Sequence, residues 1–259
     1  MIFVADHQGL ITEQSETLRP FQVGRVLDDL DEETNPGARA ILTRDAYADL
    51  RQYYYARHMV EEPHEYVALL QYRRMFYFPP PAGTGGPELA ALDNGRGSSK
   101  AHDTFRVAEK LRAPYLARLA SLKPADLKAA LAGHRFVVNE RSFPKSVSQQ
   151  YIEGVMGLHS GESAYVEAWH DMAGLLKRRL PAATVAAHFE GQFGYFHNCL
   201  VAARADFWDY ADFLFDLFAD MPAYAEVPRV YGYLAERVLA PYLAARGLSA
   251  RSTAILLFT

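Results

Sequence analysis

The chain has 259 residues, 50% hydrophobic and 22% charged, with a formal net charge of −4 and an isoelectric point near 6.1. That length and apolar content suffice for one large core, and the acidic balance excludes a general attraction to nucleic acid, so any anion site has to be local. Cys199 is the only cysteine, which excludes an internal disulfide framework and a thiolate-rich zinc or iron–sulfur centre.

Asp6, Glu13 and Glu16 interrupt the first twenty residues, and no uncharged apolar run reaches the roughly eighteen residues of a membrane span. The expectation is a cytoplasmic protein without a spanning segment. Ile2-Phe3-Val4-Ala5 and Phe21-Gln22-Val23 read as short strands, and Arg44 to Met59 reads as a tyrosine-rich helix. Tyr66-Val67-Ala68-Leu69-Leu70 reads as a buried strand, being short, apolar and bounded by Pro63-His64-Glu65 and Phe78-Pro79-Pro80-Pro81.

Tyr72-Arg73-Arg74 follows that strand directly. Open α/β sheets bind ligands beyond the carboxyl ends of their strands, and an arginine fork matches phosphate oxygens bidentately. The pair is therefore a candidate diphosphate clamp. A structural pair, one arginine bonded to a carboxylate and the other solvated, is the equal alternative at this point.

Residues 78–99 are rich in proline, glycine and small polar residues and read as a loop. Asp103 to Leu122 and Pro124 to Leu131 read as helices, Arg135 to Val138 as a strand, and Ser146 to His159 as a helix with Ser146 as its N-cap. Helices follow over Glu162 to Arg179 and Ala182 to Glu190, a strand over Tyr195 to Val201, a helix over Ala205 to Ala219, and a last helix over Arg229 to Arg246. This alternation predicts an α/β fold.

At helical spacing, Asp206, Asp209, Asp212, Asp216 and Asp220 share one arc, which reads as a solvated face rather than a cation site. Arg229, Tyr233, Glu236 and Arg237 cluster on one side of the last helix. A carboxylate among arginines stays ionised and suits orienting or deprotonating a sugar hydroxyl; an intrahelical brace is the competing reading. No histidine pair has the spacing of a helical metal site, so a zinc enzyme is not expected. His7 and His159 read either as hydrogen-bonding groups of a polar cleft or as structural residues.

The ordered segments Val4-Ala5-Asp6-His7-Gln8, Phe21-Gln22-Val23-Gly24, Asp49-Leu50-Arg51-Gln52-Tyr53-Tyr54 and Leu70-Gln71-Tyr72-Arg73-Arg74-Met75-Phe76 carry a resemblance. Later segments are Ser146-Val147-Ser148-Gln149-Gln150-Tyr151 with His159, Asn198-Cys199-Leu200-Val201 and Arg229-Val230-Tyr231-Gly232-Tyr233-Leu234-Ala235-Glu236-Arg237. Together they resemble the DUF4422 family of bacterial glycosyltransferases, associated with capsular, exopolysaccharide and O-antigen synthesis. The chain departs from that pattern in carrying Gln71 where a histidine is usual, Tyr54 and Ala56 where tryptophans are usual, and Cys199 where methionine is usual.

The resemblance implies a GT-A-like nucleotide-sugar-binding fold over residues 1–259. A central, mostly parallel sheet would be flanked by helices, with a variable, helix-rich insertion at 78–133 and C-terminal helices. It implies a nucleoside-diphosphate sugar as donor and a saccharide or lipid-linked saccharide as acceptor, with no cofactor. Work of that kind takes place in the cytoplasm, with peripheral contact at the inner membrane face where the acceptor is lipid-linked. Tyr72, Arg73 and Arg74 would bind the donor diphosphate in place of an Asp-x-Asp metal motif, in a metal-independent hexosyl transfer. His7 would bind the nucleotide, while Gln150, His159, Asn198, Arg229, Tyr233 and Arg237 would line the sugar and acceptor cleft. Glu236 is the first catalytic candidate, with Asp49 behind it. A non-catalytic relative that binds a nucleotide sugar or a partner protein, and an unrelated α/β enzyme acting on phosphorylated metabolites, are the alternatives.

Overall fold

The computed structural model describes residues 1–6, 11, 15–61, 64–78, 104–159 and 163–259. His7 and most of the expected 78–99 loop lie outside the described residues. The elements run β1 (Ile2–Ala5), β2 (Leu18–Phe21), α1 (Val23–Asp28), α2 (Ala38–Thr43), α3 (Leu50–His58), β3 (Tyr66–Gln71) and β4 (Arg74–Phe76). Next come β5 (Thr104–Val107), α4 (Arg112–Ser121), α5 (Pro124–Leu131), β6 (Phe136–Val138), β7 (Glu140–Ser142), α6 (Val147–Leu158), α7 (Ser163–Arg179) and α8 (Ala182–Glu190). The remainder is β8 (Phe193–Tyr195), β9 (Leu200–Ala203), α9 (Arg204–Ala219), α10 (Val230–Ala235), α11 (Leu239–Arg246), β10 (Ala250–Ser252) and β11 (Ile255–Phe258).

The fold is mixed α/β, a central sheet flanked by helices. β3 lies at its middle, parallel to β1 along Ala68 to Gln71 and antiparallel to β9 along Tyr66 to Leu69. Alternate residues of β3 enter separate cores. Val67 and Leu69 join Phe3, Phe136, Leu200 and Ala202 beneath α3 and the helices from α6 onward, whereas Ala68 and Leu70 join Ile2, Val137 and Val201 beneath α4 and α5. Burial on both faces explains why this strand reads as an uninterrupted apolar run.

The sheet is mixed rather than mostly parallel: β1–β2, β1–β3, β6–β10 and β5–β11 are parallel, and β3–β4, β3–β9, β6–β9 and β4–β11 are antiparallel. Part of the reason is local. Tyr72 and Arg73 form a two-residue turn that folds β4 straight back on β3, pairing Gln71 with Arg74. The segment expected to be helical from Asp103 instead enters as β5, because it pairs with β11, and β10 and β11 lie beyond the last expected element.

Three expected elements are broken. The first strand pair closes at Leu18–Phe21, so Val23 already starts α1. The Arg44 to Met59 helix is a short turn at Asp45–Tyr47, a kink at Ala48 with φ 44°, and then α3. The last helix divides into α10 and α11. By contrast α6 starts as expected, with a reciprocal box in which the Gln149 N–H donates to Ser146 Oγ (3.2 Å) and the Ser146 N–H to Gln149 Oε1 (3.4 Å).

The aspartate arc of α9 is not a uniformly solvated face. Asp206 is buried and bonded by Arg135 through both guanidinium arms, and Asp212 accepts from Arg57 Nε and Nη2 at 2.8 Å each. Asp216 and Asp220 lie near Arg179, whose Nη2 donates to the Asp220 carboxylate at 2.5 Å. A carboxylate desolvated this far has to be paired, and Arg135 supplies the partner. No helix among the described residues is long and apolar enough to cross a membrane.

Candidate functional site

The expected strand Tyr195 to Val201 is interrupted by a bend between β8 and β9 in which His197 and Asn198 take left-handed backbone angles, φ 76° and 49°. The bend, the kink at Ala48, the start of β4 and the α6 and α10 helices surround a cleft of about 370 Å³. Asp49, Arg74, Gln150 and Asn198 line it, together with Arg229, Tyr233, Glu236 and Arg237. These expected residues thus meet at one place.

Others do not. Arg73 is exposed in the β3–β4 turn and is not part of the lining; Tyr72 packs under the Arg112 guanidinium at 6.0 Å. A two-residue turn explains the split, since only Arg74 returns along the strand toward the cleft. His159 stands one layer behind, stacked on Tyr165 at 4.2 Å and 5.6 Å from Tyr233, with the Tyr165 hydroxyl 3.2 Å from its Nδ1.

The two carboxylates are held differently. Glu236 lies next to Arg237, whose Nη1 donates to Oε2 at 2.6 Å and to the Tyr233 carbonyl at 2.8 Å. Arg237 Nη2 donates to Gln150 Oε1 at 2.8 Å, and the guanidinium sits over Phe196 (4.8 Å) and Tyr151 (5.3 Å). Burial lifts the Glu236 carboxyl above the ordinary glutamate range, against the opposing pull of Arg237; Asp49 lifts it further and Arg74 lowers it. A raised, mostly desolvated carboxylate is a stronger base than an exposed one.

Asp49 is positioned by Gln71, at the end of β3, whose Nε2 donates to Asp49 Oδ2 and to the His197 carbonyl at 2.6 Å each. Its Oε1 accepts from Arg74 Nη1 at 3.1 Å. One buried amide therefore ties a carboxylate, an arginine and the bend together. Across the cleft, Asn198 Nδ2 donates to the Gly232 carbonyl at 3.0 Å, and a Cβ on Gly232 would stand 2.8 Å from Ala48 Cβ. Glycine is required there by this close approach of α10 to the Ala48 kink.

Residues that sequence reasoning left without a role are Gln71, Tyr151 and His197. Two of them carried a signal: Gln71 is a polar residue closing an apolar strand, and His197-Asn198 is a polar pair inside one. Burial, Arg74, Arg141 and Arg237 push the His197 imidazole down to about 3, so it is neutral at ordinary pH. Among the described residues there is no group of three or more metal-ligating side chains.

The fold is similar to that of the WbbM bifunctional glycosyltransferase in its apo form, with a TM-score of 0.69 at 16% identity, covering 100% of this chain and 45% of that one. The chain therefore spans less than half the length of that protein, and the likeness is one of fold: a glycosyltransferase-like arrangement. No curated protein matches the chain by sequence. The DUF4422 family, described as a domain of unknown function, matches residues 1–247. With nearly its whole length matched, including every described segment of the cleft, the chain belongs to the DUF4422 family.

Proposed function

We propose that this protein is a glycosyltransferase that moves a hexosyl group from a nucleoside-diphosphate sugar to a saccharide or lipid-linked saccharide acceptor in bacterial surface-polysaccharide synthesis. The observation that carries this reading is the meeting of Asp49 and Glu236 with Arg74 in one cleft of a glycosyltransferase-like fold. Arg74 stabilises negative charge building on the departing diphosphate, a role a preorganised cation fills without reorganisation. The acceptor hydroxyl oxygen bonds the anomeric carbon as the bond from that carbon to phosphate oxygen breaks, and the hydroxyl proton passes to a carboxylate. Glu236 is the first choice for that base and Asp49 the second. Gln150, Asn198, Tyr233 and Arg237 orient sugar hydroxyls, with Arg229 over the Tyr233 ring at 5.4 Å. His159 acts on the site through Tyr233. Nucleotide contacts at His7, and an added phosphate contact at Arg73 or Tyr72, belong to the same reading, as does action at the cytoplasmic face of the membrane without a metal.

A thermal-shift panel of nucleoside diphosphates, nucleotide sugars and simple phosphate esters, each with and without a divalent cation, tests it. Stabilisation by one nucleoside diphosphate and its sugar, lost in Arg74→Ala, is expected. Stabilisation by simple phosphate esters alone would turn the reading toward enzymes of phosphorylated metabolites.

A further inference from the structure

His197 lines the cleft, and guanidinium groups gather around its neutral imidazole, Arg74 and Arg237 from the lining and Arg141 from outside it. Arg141, on β7, brings Nη1 to within 3.4 Å of His197 Nε2. A guanidinium only donates, so Nε2 accepts and the ring proton rests on Nδ1. Arg74, on β4, and Arg237, just past α10, face the same ring and, with burial, keep it uncharged. The remaining polar groups around the bend are already engaged. Glu236 is paired with Arg237 and accepts from the His197 backbone N–H, Asp49 accepts from Gln71, and the Cys199 thiol points at the His197 carbonyl, 3.4 Å away.

Arg74 and Arg141 form no direct ion pair among the described residues; Arg74 is bonded to the Gln71 amide and acts on the Glu236 carboxyl from a distance, and Arg141 lies over the Phe143 ring at 5.4 Å. Three arginines facing one imidazole against two carboxylates, Glu236 and Asp49, leave a local excess of positive charge, which a multiply charged anion complements.

We propose that Arg74, Arg141 and His197 form the anion pole of the cleft, and that a diphosphate bound there places a proton on the imidazole. The identity of the anion rests on the nucleotide-sugar reading; Arg141, His197 and the proton are additional to it. Burial, and then the guanidinium groups, hold the ring neutral, Arg141 from 3.4 Å; the two or three negative charges of a diphosphate at contact oppose both, and they prevail once Arg141 turns from the ring to the phosphate. Both ring nitrogens then donate, which requires Arg141 to leave Nε2 and turn to the phosphate. The imidazolium so formed stands beside the charge that develops when the sugar departs.

Titration calorimetry with uridine diphosphate, guanosine diphosphate and inorganic pyrophosphate, each in buffers of different ionisation enthalpy, counts the protons taken up on binding. His197→Asn is the reference, since it cancels the ligand's own protonation and asparagine tolerates the left-handed backbone of the bend. At about pH 6 the parental protein is expected to take up between about half a proton and one proton more than His197→Asn. Arg141→Gln is expected to weaken pyrophosphate about tenfold or more. Binding with equal proton uptake in the two proteins overturns the protonation, and undiminished affinity in Arg141→Gln overturns the pole; either leaves the nucleotide-sugar reading standing. Failure of all three probes to bind the parental protein overturns both. If His197→Asn does not fold, NMR titration of the His197 ring protons with and without pyrophosphate decides the matter, an unmoved imidazole pKa being the contrary result.

Discussion

Replacing Gln71 by leucine removes the brace beneath the cleft while keeping nearly the same volume. Gln71 is 7% exposed, and its amide holds Asp49 and the His197 carbonyl at 2.6 Å and Arg74 at 3.1 Å. The bond to the carboxylate is worth about 1.5–3 kcal/mol and the bond to the carbonyl about 1 kcal/mol; the third, to an exposed arginine, adds little. Better burial of leucine offsets about 1 kcal/mol of this. The net loss is about 1.5–3 kcal/mol, which in a chain of this size lowers Tm by about 3–12 °C.

Activity is expected to fall further than stability. Asp49, Arg74 and the His197 bend lose their common support, and a displacement of about 1 Å at a reacting group lowers rates about a hundredfold. Gln71→His is the control, because a neutral imidazole donates once and accepts once. It can serve Asp49 and Arg74 while leaving the His197 carbonyl unmet, and is expected to lose about tenfold. Calorimetric melting and kcat/KM for the nucleotide sugar measure the two effects. A parental Tm and parental kcat/KM in Gln71→Leu would refute the brace; a lowered Tm with full activity would reduce it to a structural role.

Glu236→Gln is expected to lower kcat about 10²–10⁴-fold and to abolish the acidic limb of the pH–rate profile. In the parental protein that limb lies above the ordinary glutamate range, because burial raises the carboxyl. Gly232→Ala sets a Cβ 2.8 Å from Ala48 Cβ; overpacking of about 1–3 kcal/mol outweighs a helix-propensity gain of about 1 kcal/mol, so urea denaturation should show a net loss. Arg135→Ala leaves the buried Asp206 without its partner and is expected to destabilise by about 2 kcal/mol or more, whereas Arg179→Ala, opposite a half-exposed Asp220, stays within about 1 kcal/mol. His197, depressed from 6.5 to about 3, contributes stability that is complete above pH 6.5 and is lost as pH falls through about 3. Denaturation at stepped pH should show the parental protein losing up to about 1.4 kcal/mol per pH unit in that window relative to His197→Asn.

The α/β class, β3 and the capped start of α6 were legible because each depends on neighbours in sequence: an apolar run between breakers, or a serine three residues before a glutamine. The candidate site was legible chiefly through ordered family segments, since no local pattern joins Asp49 to Glu236. What was illegible depends on distant partners. Thr104–Val107 becomes a strand because Ile255–Phe258 lies beside it, and Asp206 is buried because Arg135 arrives from β6's leading edge. Arg73 and Arg74 were indistinguishable in sequence, and a two-residue turn separates them.

The backbone strain of the molecule bears on what the cleft is for. Among the described residues the non-glycine positions with positive φ are Ala48, Ala132, His197, Asn198 and Arg229, and all but Ala132 line the cleft. Such conformations cost about 1–3 kcal/mol each and persist only where surrounding contacts over-determine them. Those contacts form a connected set. Arg51 Nε donates to the Ala48 carbonyl at 2.8 Å, the Arg229 N–H to the Asp45 carbonyl at 3.1 Å, and the Tyr53 hydroxyl to the Asn198 carbonyl at 3.2 Å. Asn198 in turn holds Gly232, which packs on Ala48. Asp49 follows one strained residue directly, and Glu236 lies one helical turn beyond Gly232. The same bonds that sustain the strain therefore fix both carboxylates and the His197 bend before any ligand arrives. A cleft whose charges are oriented in advance needs little reorganisation when charge moves across it, which is the condition under which fixed dipoles and cations accelerate group transfer.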